Sequence, residues 1–438
     1  MAAPAIAVES LISGVRLSSV GPGEVTGTDV IHEPSNMDLA MKLHYIRAIY
    51  YFRSSSVEGL TIFTIKECTF RWFNLYPHTC GRFRRSESGR PFIKCNDCGA
   101  RFIEARCSKT LENWLEMEGC SLYHKLLVSN DVLGPELGFS PPILIQVTIF
   151  KCGGMALSFS WAHVLGDAFS LSKFLNLLSQ IMAGHQPPNS PLPKPETKVS
   201  KSNNSSLLAV ELRSVKRVEP VGDHWITANN CKMENYSFQI TDQQLEVLSS
   251  KLFQTAQITP FESLSALFWQ CLASITEGSE PKTVTICRKD SDNREKETLI
   301  SNNPIINTVQ VDFSVAEADP KELAALIMEQ KVDEKSKIEA LVQQDEGLTD
   351  LIMYGANLTF VDLEEADLYG LELKKEKPVF VNYTIDGVGD EGLILVMKGL
   401  RNVSDGSNGG EGRTVTVVLP KNQILKLKEK LQKEWSIA

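Results

Sequence analysis

Residues Ser160–Ser170 read SWAHVLGDAFS, which sets a histidine and an aspartate four apart among small and apolar neighbours. Upstream, PILIQVTIF (Pro142–Phe150) and MALSFSW (Met155–Trp161) are rich in branched and aromatic residues and flank Lys151-Cys152-Gly153-Gly154, so they predict the two strands of a hairpin. Downstream, Leu171, Phe174, Leu175, Leu178, Ile181 and Met182 recur at helical spacing and predict a helix beginning at Asp167. His163 therefore falls between a strand end and a helix start, with Gly166 allowing a sharp change of direction. A histidine held that way can face a cleft between domains and act as a general base. Its neutral imidazole can take the proton of a hydroxyl or amine attacking an activated acyl carbon, then pass it to a leaving thiolate. Asp167 can fix the loop by capping the helix or by pairing with an arginine. The same spacing also fits a blander pair, His163 as a polar strand end and Asp167 as a plain cap.

The rest of the chain supplies context. Its 438 residues, 42% hydrophobic, are enough for two or three packed cores. A net charge of -9 argues against a nucleic-acid partner, because phosphate binding draws on clustered Lys and Arg. The start, MAAPAIAVES, lacks the pattern of a secretory signal, and no apolar run is long enough to span a membrane, so a cytosolic fold is expected. Ten cysteines then read as reduced structural thiols. Cys95-Asn-Asp-Cys98 has no second ligand pair at usable spacing, so no metal is expected.

Pro187–Ser206 reads PPNSPLPKPETKVSKSNNSS, a linker composition with nothing apolar to pack. It divides the chain into a first domain (residues 1–184), a linker (185–220) and a second domain (221–438). In the first domain, MDLAMKLHYIRAIYYF (37–52) runs into a strand, TIKECTFRWFNLYP (64–77) is a helix stopped by Pro77, and GRFRRSESGRPFIKC (81–95) is a hairpin with solvated arginines. In the second, Thr259-Pro260-Phe261-Glu262 carries an N-cap, a first-turn proline and a capping box. One long helical tract is expected over Pro320–Gln344, strands in YGANLTFVDL (354–363), PVFVNYTI (378–385) and Thr414–Leu419, and a last helix from Pro420. Lys282, Arg288 and Lys289 flank a strand and read as solvated charges. Helix and strand alternate in both halves, which predicts an α/β (α+β) fold with a sheet in each domain.

Three blocks, LYPHTCGRFRRSESGRPFIKCNDCGARFIEA, SWAHVLGDAFS and TPFESLSALFWQCLAS, resemble the plant BAHD acyl-CoA acyltransferases. That resemblance implies two chloramphenicol-acetyltransferase-like domains flanking a tunnel, acyl-CoA as co-substrate with no permanently bound cofactor, and an H-x-x-x-D motif. His163 matches its catalytic base and Asp167 its structural aspartate. The family's second signature, D-F-G-W-G before a Lys/Arg-Pro pair, is degenerate here: the five residues before Lys377-Pro378 are Glu372-Leu373-Lys374-Lys375-Glu376. Long charged residues replace both glycines, so the tight turn is expected to be lost. MDLAMKLHYIRAIYYF, FKCGGMALSFSWAHVLGDAFS, YGANLTFVDL and KPVFVNYTIDGVGD are most similar to the ECERIFERUM-type (Glossy-like) members of cuticular wax synthesis. Membership of that subgroup implies an accessory role on the cytosolic side of the endoplasmic reticulum, modifying the chain-length output of a condensing enzyme (3-ketoacyl-CoA synthase), with the chain monomeric apart from that partner. The alternative it leaves open is an O- or N-acyltransferase using His163 as general base.

Overall fold

A computed structural model describes residues 11–117, 123–129, 138–186, 212–222, 225, 229–252, 258–290, 300–329, 333–401 and 411–437. Of the expected linker (185–220), residues 187–211 lie outside them. Two six-stranded sheets carry the fold. The first is built from β1 (Ile12–Val20), β2 (Tyr45–Phe52), β3 (Ala100–Cys107), β4 (Ile143–Ile149) and β5 (Met155–Ala162). The second holds β6 (Met233–Ile240), β7 (Thr283–Lys289), β8 (Pro304–Gln310), β9 (Leu358–Asp362), β11 (Leu393–Arg401) and β12 (Glu411–Pro420). Strand β10 (Phe380–Asp386) comes from the second half of the chain yet completes the first sheet, whose order is β1-β3-β4-β5-β2-β10.

The segmentation read from composition therefore does not separate the two sheets. Antiparallel pairing of β10 with β2 runs from Phe380 opposite Tyr51 to Asp386 opposite Tyr45. The near end of the expected linker is also structured, since Lys216–Val218 pairs antiparallel with Asp350–Ile352. Composition marks a proline-rich connection but carries no information on which strand edge a distant segment will find.

The expected hairpin forms as β4 and β5, and all eight residues of β5 are buried. A strand covered on both faces tolerates no exposed position. Tyr50 and Phe52 of β2 face the main core, and the alternating Ile49 and Tyr51 face a smaller cluster with Trp114 and Phe150. Helix α1 (Ile62–Leu75) packs on helix α2 (Ala168–Met182) through Trp72, whose ring stacks on Phe174 at 3.8 Å and whose indole N–H donates to the Phe174 carbonyl. In the second sheet, Leu393, Leu395 and Met397 of β11 join the main core shared with the first half. Ile394 and Val396 face the other way, onto helices α3 (Pro260–Ile275), α4 (Pro320–Met328) and α6 (Lys421–Trp435).

The tract expected as one helix over Pro320–Gln344 is two, α4 and α5 (Lys335–Gln344). Acidic side chains between them bind backbone donors instead of continuing a helix. Asp333 accepts from the N–H groups of Ile306 and Lys335, and Glu334 from those of Arg213 and Ser214. Such local side-chain acceptors compete with the helical ladder.

The seam between β2 and β10 also carries a buried hydroxyl pair, Tyr50 Oη to Tyr383 Oη at 2.6 Å. Either Tyr50→Phe or Tyr383→Phe should cost about 1–3 kcal/mol by orphaning the remaining hydroxyl, whereas the double variant should recover most of that loss. Urea denaturation of the four proteins gives the coupling, and additive single effects would exclude it.

Candidate active site

Strand β5 ends at Ala162, and His163 opens a single 3-10 turn, His163–Leu165, with its N–H donating to the His44 carbonyl. Gly166 follows with φ +155°, and a Cβ there would sit 2.9 Å from Ser170 Cβ and 3.1 Å from the Ser301 nitrogen. The close crossing of the Ser301 segment is what demands glycine. Asp167 is the N-cap of α2: one carboxylate oxygen accepts from the Ser170 N–H at 2.9 Å and the other from the Asn303 N–H at 3.5 Å. Of the two roles open to Asp167, the cap is the one taken. Burial raises its pKa.

Asn302, from the second half, closes the turn. Its amide donates to the His163 carbonyl at 2.8 Å and to Asp38 Oδ1 at 2.8 Å, while its backbone N–H reaches the same carboxylate. Asp38 is itself fixed in a capping box with Ser35. The motif turn is thus fastened to the second half through three buried residues.

The His163 ring is 1% exposed. Its Nε2 lies 3.1 Å from the Tyr354 hydroxyl, and Nδ1 has no partner among the described residues. Burial lowers its pKa to about 4, so the imidazole is neutral at physiological pH. His44 stands edge-on to both rings, 6.4 Å from His163 and 4.9 Å from Tyr354. Its Nε2 accepts from the Met353 N–H, so the proton is carried on Nδ1. Burial, then the neighbouring His163, takes its pKa to about 3. Between the two halves the space at His163 narrows to a cavity of about 20 Å³, lined by Phe169, Arg288, Tyr354, Leu363 and Ile385 among others. That is room for one water.

Tyr354 and Asn302 were not legible as site residues, because each reaches His163 only through the fold. The one signal was that Tyr354 opens the stretch YGANLTFVDL. Arg288, expected as a solvated strand end, instead pairs with Glu262 at 2.6 Å and lies over the Phe261 ring. Among the described residues no three His, Cys, Asp or Glu side chains converge to hold a metal, and Cys95 and Cys98 are both free.

The degenerate signature corrects another expectation. Glu372–Glu376 keeps a tight turn: Leu373 and Glu376 exchange backbone hydrogen bonds of 3.0 and 2.9 Å, and Lys374 and Lys375 take φ +51° and +66°. Two positive φ values between bridged residues are the pattern of a type I′ turn. Two lysines do what glycine does easily, at about 1–2 kcal/mol per residue. The loop is held onto α2 by Ser179, whose hydroxyl donates to the Glu372 carbonyl and accepts from its N–H. Glu376 accepts from Ser55 and Ser56. A cleft of about 570 Å³ opens between this loop and the end of α2, lined in part by Leu60, Asn176, Met182, Lys374 and Lys375.

Two expectations check these assignments. Asp167→Asn should keep the Ser170 cap and lose only the long bond from the Asn303 N–H, so it should cost less than Asp167→Ala, which should lose about 0.5–2 kcal/mol in chemical denaturation. Equal losses would give the carboxylate charge a role beyond capping. Lys375→Gly should gain about 1 kcal/mol by relieving a positive φ, and a loss would mean the lysine side chain contributes more than its backbone costs.

The sequence model described as the Transferase family matches residues 33–434. Protein ECERIFERUM 26-like of Arabidopsis thaliana is 40% identical over 424 residues, 96% of each chain. Protein ECERIFERUM 2 of the same plant is 38% identical over 96% of this chain and 98% of its own. Among solved structures, vinorine synthase superposes with TM-score 0.69 at 16% identity, covering 96% of this chain and 98% of that one. TRI101 of F. graminearum complexed with ethyl coenzyme A superposes with TM-score 0.66 at 15% identity, covering 93% and 98%. Both share the mixed α/β fold of this chain. By family match, by relatives along nearly its whole length and by fold, the chain belongs to the BAHD acyltransferase family and is similar to its ECERIFERUM-type members.

Proposed function

We propose that this chain is an accessory protein of very-long-chain fatty-acid elongation, setting the chain-length output of a condensing enzyme (3-ketoacyl-CoA synthase) for cuticular wax. The observation carrying this reading is the cavity of about 20 Å³ at His163. Acyl transfer needs a carbonyl carbon, a thiolate and an acceptor oxygen held together within a narrow tolerance, for which so small a space beside His163 is a poor fit. The charged, strained turn at Lys374-Lys375 supports it independently, since it departs from the glycine-based signature of the catalytic family. Likeness to proteins named ECERIFERUM over nearly the full chain fits the same reading.

Acyl-CoA is the ligand this fold would take, with no permanently bound cofactor. No helix among the described residues is long and apolar enough to cross a membrane. In this proposal the cytosolic face of the endoplasmic reticulum is reached through the condensing partner, to which the chain binds as a monomer.

One observation favours conventional O- or N-acyl transfer: the H-x-x-x-D turn is fully built, with Asp167 capping and His163 facing the cavity between the halves. His163 is then the general base.

The deciding experiment is the acyl-chain profile of yeast expressing a plant wax condensing enzyme alone, with this protein, or with its His163→Ala variant. Equal lengthening by both forms is expected. Lengthening by the wild type alone would overturn the accessory reading, as would robust acyl-CoA turnover by pure protein that vanishes in His163→Ala.

A further inference from the structure

Tyr354 is held in place from several sides. Its neighbour Met353 donates to His44 Nε2 at 3.0 Å, its own carbonyl accepts from the Gly389 N–H at 2.9 Å, and Gly355 donates to Thr359 Oγ1 at 3.1 Å. A Cβ on Gly355, at φ +81°, would stand 2.5 Å from the Gly389 carbonyl oxygen, so the crossing that sets the tyrosine backbone needs glycine. The side chain then runs past His44 to put its hydroxyl 3.1 Å from His163 Nε2, with the residue 4% exposed.

An acceptor whose proton His163 is to take must bring a hydroxyl within about 2.6–3.2 Å of that nitrogen. The Tyr354 hydroxyl already stands at that distance, and the adjoining cavity of about 20 Å³ has room for one water. We propose that Tyr354 is an internal stand-in for the acceptor, its phenol occupying the seat at His163 Nε2 and shutting out exogenous hydroxyls. The inference deepens the accessory reading and rests on it in taking the seat to be unused by substrate. Burial pushes the Tyr354 hydroxyl well above its ordinary pKa while holding His163 near 4, so the pair rests neutral.

Diethyl pyrocarbonate, which carbethoxylates neutral imidazole, tests this with mass-spectrometric mapping of His163. The exposed His185 serves as reference in the same molecule. In the wild type and in Tyr354→Phe, which keeps the ring, His163 should react roughly tenfold or more slowly than His185, because access waits on local opening. Tyr354→Ala should remove most of that protection, and p-cresol, the tyrosine side chain as a free molecule, should restore it. His163 reacting as fast as His185 in the wild type would overturn the proposal, as would unchanged protection in a folded Tyr354→Ala. If the alanine variant does not fold, Tyr354→Phe decides through ¹⁵N NMR of labelled histidine: the Nε2 resonance should move when the hydroxyl is removed, and an unmoved resonance overturns the contact. An acyl adduct on Tyr354 after incubation of the wild type with palmitoyl-CoA would overturn the plug and make the tyrosine the acceptor.

The labelling needs neither acyl-CoA nor a condensing enzyme. Its failure therefore leaves the accessory reading standing, while loss of chain lengthening in His163→Ala sinks that reading and leaves the labelling pattern intact.

Discussion

The antiparallel pairing of Phe380–Asp386 with Tyr45–Phe52 is the constraint from which the rest of the architecture follows. A strand from the second half closes one edge of the first sheet, so the chain between Asp362 and Phe380 must cross from one sheet to the other. That crossing passes over helix Ala168–Met182, where Asn176 holds Asp367 and Ser179 holds Glu372. The same helix begins at Asp167 against the Ser301–Asn303 segment. Both ends of the motif helix are thereby fastened to the second half, and the position of His163 is a property of the whole chain.

Neutral rings of His44, His163 and Tyr354 meet beside a small cavity, and the Asn302 amide fixes the turn from behind. A base needs both a pKa near its working pH and a place for its substrate. Burial holds the His163 pKa near 4, and the Tyr354 hydroxyl stands 3.1 Å from its Nε2. What the arrangement does supply is a well-packed junction between two sheets, which serves a binding protein as well as an enzyme.

Much of the local structure was legible. The hairpin, the helix following Asp167 and the capping box at Thr259 are set by side-chain period and by caps acting over three or four residues. Sheet membership was not, because the pattern of PVFVNYTI says that it is a strand and says nothing of which edge it joins. Tyr354 is 191 residues from His163 along the chain and lies outside regular structure, so no spacing rule connects them. The expectation for Lys374 and Lys375 failed for a different reason: propensity argued against a tight turn, and anchoring by Ser179 on one side and Ser55 and Ser56 on the other imposed one. The long helix over Pro320–Gln344 failed because Asp333 and Glu334 find backbone donors in distant segments, which periodicity does not register.

The borrowed strand also bears on how the protein is made. During synthesis the edge of Tyr45–Phe52 emerges 328 residues before Phe380. At about 5–20 residues per second the ribosome needs roughly 16–65 seconds to cover that distance. Through that interval the nascent chain carries an open, strongly apolar sheet edge, the kind of surface that recruits other strands. Completion of the first sheet therefore waits on Phe380–Asp386, and the yield of this protein in a cell depends on holding that edge apart from its neighbours until that strand arrives.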